Sequence, residues 1–151
     1  MIKILPSKGI KKATGIDFDL LGSILTTMIQ AGHRKPIDMT VHMYKSRQAG
    51  VSYVETYDSD WFTICLDQTS KQTRKFIFGS ILHEIRHCCQ LKLWNYWPCT
   101  YKFKTYEEYF NSKEERDARK AEKLTRQLIK LYDMHINMKK QYSKVGLTRL
   151  G

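Results

Sequence analysis

The sequence predicts an α+β fold: an N-terminal helix, a small, mostly antiparallel sheet, a central helix and a long C-terminal helix. Three observations predict it. Apolar residues recur at helical spacing from Leu20 to Ile29, alternate with polar ones from Met39 to Leu66, and return to helical spacing from Phe78 onward. The 151 residues suit one domain over 1–151, with an arm or edge strand at 1–14 and a short tail at 143–151.

Pro6, Gly9 and Gly15 punctuate the first segment, which reads as an extended arm or an edge strand. Asp17 or Asp19 can cap the first helix, whose stripe is Leu20, Leu21, Ile24, Leu25, Met28 and Ile29, with Gly32 as a stop signal. Three strand-like runs follow, Met39–Met43, Val51–Thr56 and Trp61–Leu66, with turn residues at Gln48-Ala49-Gly50 and Asp58-Ser59-Asp60. Phe78, Ile81, Leu82, Ile85 and Cys89 form an apolar stripe that can pack on the sheet. Pro98 and the cluster Trp94, Tyr96 and Trp97 interrupt it. Thr105 with Glu108 has capping-box spacing, and one helix is expected from about Lys113 to Lys140.

The formal net charge is +11, which favours an anionic partner such as nucleic acid or an acidic protein, or else a solvated basic surface. No apolar run reaches the roughly 20 residues of a bilayer span, so no membrane partner is expected. No signal-peptide pattern is present either, and a cytoplasmic protein is expected. Cys65, Cys88, Cys89 and Cys99 form no CxxC pair and are expected as reduced thiols.

One motif carries chemistry. His83 and His87 lie four positions apart, one turn of a helix, so both imidazoles can reach one metal ion. Glu84, beside the first, is placed to act as general base on a metal-activated water and to return the proton to a leaving amine. The competing reading is two surface histidines and a solvated glutamate on an amphipathic helix.

The run Ser80-Ile81-Leu82-His83-Glu84-Ile85-Arg86-His87 resembles the active-site helix of zincin metallopeptidases. The gluzincin branch takes a third ligand from a later Glu-x-x-Ala, which Glu115-Arg116-Asp117-Ala118 matches. The resemblance implies a zincin-like fold, a zinc ion held by His83, His87 and Glu115, and hydrolysis of a peptide or protein substrate with Glu84 as base. Ser112 with Glu115 also has capping-box spacing, so the competing role for Glu115 is to satisfy the helix start instead, and Glu114, Glu108 and Glu107 are nearby substitutes. The Gly and third His of a metzincin do not follow His87.

Tyr101, Tyr106, Tyr109 and His135 are candidate oxyanion donors, and Asp117 and Glu122 candidate partners for the ligand imidazoles. Arg86 reads as solvent-facing, and Cys88 as a packing thiol. In zincins an edge strand before the motif helix binds extended substrate. That resemblance makes Trp61 and Thr63 substrate-binding candidates, against an ordinary buried strand. Two other functions stay open: a zincin-fold structural or binding protein with weak or no catalysis, and a basic nucleic-acid-binding module. For the latter, the aromatic-basic stretch Trp94–Lys104 has a suitable composition.

Overall fold

The computed structural model describes residues 1–30, 37–47, 52–56, 61–67, 73–94 and 103–145. Its elements, in chain order, are β1 (Ile2–Pro6), α1 (Lys8–Thr14), α2 (Phe18–Gln30), β2 (Met39–Lys45), β3 (Tyr53–Thr56), β4 (Trp61–Leu66), α3 (Arg74–Trp94), α4 (Tyr106–Phe110), α5 (Lys113–Glu122) and α6 (Thr125–Lys144). The α+β class holds. Among the described residues no helix is long and apolar enough to cross a membrane.

Of the arm or edge strand expected at 1–14, Ile2–Pro6 form an edge strand and Lys8–Thr14 a helix. Ile2 and Ile4 are buried while Lys3 is exposed, the alternation of an edge strand. Ser7 then caps α1 by accepting a hydrogen bond from the Ile10 N–H, and Gly15 ends α1 at φ 63, a left-handed conformation that suits glycine. Asp17 caps α2 as expected, accepting from the Leu20 N–H at 3.1 Å. Gly22 lets α2 approach β1 closely, since a Cβ there would lie 2.6 Å from the Ile2 carbonyl oxygen.

The sheet order is β1-β2-β4-β3, with β1 parallel to β2, β2 parallel to β4, and β3 antiparallel to β4. The mostly antiparallel expectation is therefore corrected to a mixed sheet. The reason lies in β1. Once residues 2–6 form a strand, α1 and α2 become the crossover that returns the chain in parallel to β2. Only β3 and β4, close in sequence, pair as an antiparallel ladder.

One face of the sheet carries Ile2, Ile4, Val41, Met43, Phe62 and Ile64 into a core shared with Leu21, Leu25, Phe78, Ile81 and Leu128. The predicted stripe of α3 is buried there in full, and Cys88 joins it at 0% exposure. Burial drives the Cys88 thiol pKa well up, as befits a packing group.

The single C-terminal helix is corrected to two. Lys123 and Leu124 donate three residues back, to Lys120 and Ala121, and the tightened turn redirects the chain. Thr125 secures the corner: its hydroxyl donates to the Glu122 carbonyl at 2.5 Å and lies close to Gly79 of α3. Ser143 and Lys144, at the start of the expected tail, continue α6, and Val145 is its C-cap. The expected stop at Gly32, the turns at 48–50 and 58–60, Tyr96, Trp97, Pro98, Cys99, Tyr101 and the tail beyond 145 lie outside the described residues.

Candidate metal centre

Two helices build the site. The sheet-packed stripe of α3 fixes that helix, which leaves His83, Glu84, His87 and Gln90 directed away from the apolar core. Helix α5 crosses them, begun by Ser112, whose hydroxyl accepts from the Glu115 N–H at 3.3 Å. The helix-start role open to Glu115 is not taken up by its carboxylate: the Ser112 N–H donates to the Tyr109 carbonyl, and the Glu115 carboxylate goes to the histidines.

His83 Nε2 and His87 Nε2 lie 3.2 Å apart. Glu115 Oε1 is 2.8 Å from His87 Nε2, and Glu115 Oε2 is 3.3 Å from His83 Nε2. One ligand atom from each of the three residues falls within 4.8 Å of the others, so the group could hold a metal ion.

The hydrogen bonds behind the imidazoles decide what their front atoms carry. His83 Nδ1 is 2.7 Å from Glu122 Oε1, an acceptor only, so Nδ1 is the donor. His87 Nδ1 is 2.8 Å from Gln90 Oε1. The Gln90 amide cannot be turned round, because its Nε2 donates to the Glu114 carbonyl at 2.9 Å and to Asp117 Oδ2 at 2.8 Å. Both neutral rings therefore carry their proton on Nδ1 and aim an Nε2 lone pair forward. Two lone pairs and a carboxylate facing one point repel one another unless a cation sits among them.

The charges agree. Burial disfavours a charged His83, but hydrogen bonding to Glu115 and the charges of Glu84 and Glu115 outweigh it and raise its pKa to about 9. Without a metal, a proton takes the cation's place. Burial also opposes ionisation of Glu115, yet its contacts with His83 and His87 and the bond from Tyr109 hold its carboxyl far below the ordinary range. Tyr109 donates to Glu115 Oε1 at 2.5 Å. Arg119 stacks at 3.7 Å over the Phe110 ring and brings its Nη1 to 3.9 Å from Glu115 Oε2.

Glu84 points into a cleft of about 660 Å³, which His83, Thr73, Phe76 and Tyr106 also line, while His87 and Glu115 are buried behind it at 4% and 5% exposure. Burial first, then the charges of Glu115 and Glu122 against those of the histidines, raises the Glu84 pKa to about 7. A carboxylate in that range can both take and give a proton near neutrality.

The structure brings His83, Glu84, His87 and Glu115 together. It does not bring Trp61 and Thr63 to them. Strand β4 lies inside the sheet, and Thr63 is flanked by His42 on one side and Glu55 on the other. Trp61 and Thr63 also project from the face opposite Phe62 and Ile64, away from α3. The antiparallel edge is β3, earlier in the chain but farther out in space.

Among the oxyanion candidates, Tyr109 touches Glu115, Tyr106 lines the cleft, and His135 faces solvent and bonds to the Leu131 carbonyl. Arg86 is not solvent-facing as expected: it forms a two-pronged pair with Asp117 at 2.8 and 3.0 Å. Of the proposed imidazole partners, Glu122 serves directly and Asp117 acts through Gln90. Sequence reasoning missed Gln90. The signal was a glutamine three residues after His87, hence on the same helix face.

Comparison of the chain with protein-family models, with curated proteins and with solved structures finds no match.

Proposed function

We propose that this chain is a zinc-dependent peptidase. The observation that carries the reading is the convergence of His83 Nε2, His87 Nε2 and the Glu115 carboxylate, with both Nδ1 atoms already committed. Two imidazoles and one carboxylate are a donor set that suits zinc and leaves a fourth position free. When bound there, zinc supplies Lewis acidity and lowers the pKa of a coordinated water toward ~7.

The rest of the chemistry falls to the chain. Glu84 takes a proton from the attacking water onto its carboxylate and returns it to the leaving amine. Without the metal, burial raises its pKa to about 7. Glu122 and Gln90 hold the two imidazoles in one tautomer and one orientation. Tyr109 holds Glu115 by its hydroxyl. The outer edge of β3 pairs with no other described strand, so its backbone groups can receive an extended peptide by strand addition.

The test is Glu84→Gln, assayed on unstructured protein substrates with zinc content measured in parallel. Hydrolysis should fall about 10²–10⁴-fold with zinc retained. Equal cleavage by both proteins sinks the peptidase reading. Retained zinc with no cleavage by either protein favours a binding role for the same fold.

A further inference from the structure

We infer that the sheet face opposite the core is a binding platform for single-stranded nucleic acid. Strand register places three rungs of side chains on that face: Lys3, Thr40 and Trp61; then Leu5, His42, Thr63 and Glu55; then Tyr44, Cys65 and Tyr53. Sheets with this much parallel pairing normally have both faces covered. Here one face is filled by the core, and the other bears a cavity of about 750 Å³. Among the described residues its walls come from the strands, Arg47, and Ser7 and Gly9 at the start of α1. None comes from α2, α3 or α6.

The lining has two components. Tyr44, Tyr53 and Trp61 supply three aromatic rings, with Tyr44 at 47% and Trp61 at 38% exposure. His42 packs edge-on against Trp61 at 4.9 Å, steadying that ring. Tyr44 and Tyr53 stand on strands two spacings apart, roughly 10 Å between backbones, with Cys65 between them. Lys45 and Arg47 supply cations, and Glu55 is the one carboxylate among the described lining residues. Gly9 lies against the Lys45 side chain, so α1, whose Lys8, Lys11 and Lys12 are exposed, borders the cavity.

Rings for unstacked bases beside cations for phosphates is the chemistry of single-strand recognition. A duplex hides the base faces that the rings would meet. An acidic peptide would use the cations and leave the rings without a role. The net charge of +11 favours the same polyanion.

The experiment is fluorescence anisotropy of the full, zinc-supplemented chain with labelled oligothymidylate and oligouridylate of about 16 nucleotides, which separates DNA from RNA. Affinity should fall steeply with salt. Tyr44→Ala and Trp61→Ala should each weaken binding about tenfold, while Tyr44→Phe and Trp61→Phe retain it. Arg47→Ala should reduce the salt slope by about 0.7. Thermal melting checks folding, and if the alanine variants unfold, the Arg47→Ala slope decides. Glu84→Gln should bind as wild type, because the platform is separate from the metal cluster. Any of five results overturns the inference: no binding at low salt, unchanged affinity in both folded alanine variants, or an unchanged slope in Arg47→Ala. The fourth is equal affinity for a duplex of the same length. A concentration-dependent dimer lost in Tyr44→Ala would overturn it too, by assigning the face to a second copy.

Discussion

Helix α3 meets the apolar core through Phe78, Ile81 and Ile85, each no more than 1% exposed, and meets α5 through His83, Arg86, His87 and Gln90. The first contact needs only shape and apolar area, and each such side chain contributes about 1.5–3 kcal/mol by leaving water. The second buries ionisable and amide groups whose desolvation offsets most of what their hydrogen bonds return. Its forward lone pairs repel one another unless a metal ion or, in its place, a proton sits among them. The difference teaches that one side of α3 holds the fold and the other gathers a cluster that could hold a metal ion, so the two should respond to different perturbations.

Phe78→Ala should separate them most strongly. It should cost about 3–5 kcal/mol in urea unfolding, while the folded fraction keeps its metal stoichiometry. Next, zinc at a hundredfold excess over its dissociation constant should add about 2.7 kcal/mol, raising Tm by roughly 5–10 °C for a chain of this size. Scanning calorimetry with and without chelator measures this, and His87→Ala should abolish the increment. Gln90→Leu should then weaken metal affinity about 10–100-fold, read by competition with a chromophoric chelator. An unchanged affinity would show that the Gln90 amide does not orient His87.

The smallest effect lies outside both faces. Asp17 caps α2 and pairs with Lys139 at 3.0 Å. Burial opposes its ionisation, but the Leu20 N–H and the Lys139 ammonium outweigh it and hold its pKa below the ordinary value. Asp17→Ala should cost about 1 kcal/mol. Asp17→Asn keeps the cap and loses the charge. Because the folded pKa is lowered, wild type should exceed Asp17→Asn in stability above the unfolded-state pKa. That advantage should fade as pH falls through the folded one, in denaturation series across acidic pH.

Legibility in the sequence followed how local each signal was. The pattern of α3 and the spacing of His83, Glu84 and His87 are set within one helix, and both were readable. Glu115 was readable as a motif, but only the crossing of α5 over α3 shows its carboxylate facing the histidines. Strand order was not readable, because β4 inserts between β2 and β3 through pairings that leave no mark on the residues themselves. That is why Trp61 and Thr63 were assigned to an edge that β3 occupies. Strand β1 was readable only as one of two alternatives, an arm or an edge strand, because it is short. The break at Lys123–Leu124 was hidden by a helical composition that runs through it without Gly or Pro.

The most direct measurement is crystallographic: anomalous scattering at the zinc absorption edge from protein purified with zinc present. One peak per chain is expected, with His83 Nε2, His87 Nε2 and a Glu115 oxygen each at about 2.0–2.1 Å. A chain without such a peak, or one whose zinc is held by other residues while His83, His87 and Glu115 bond only to each other, would contradict the metal centre and the hydrolytic function built on it.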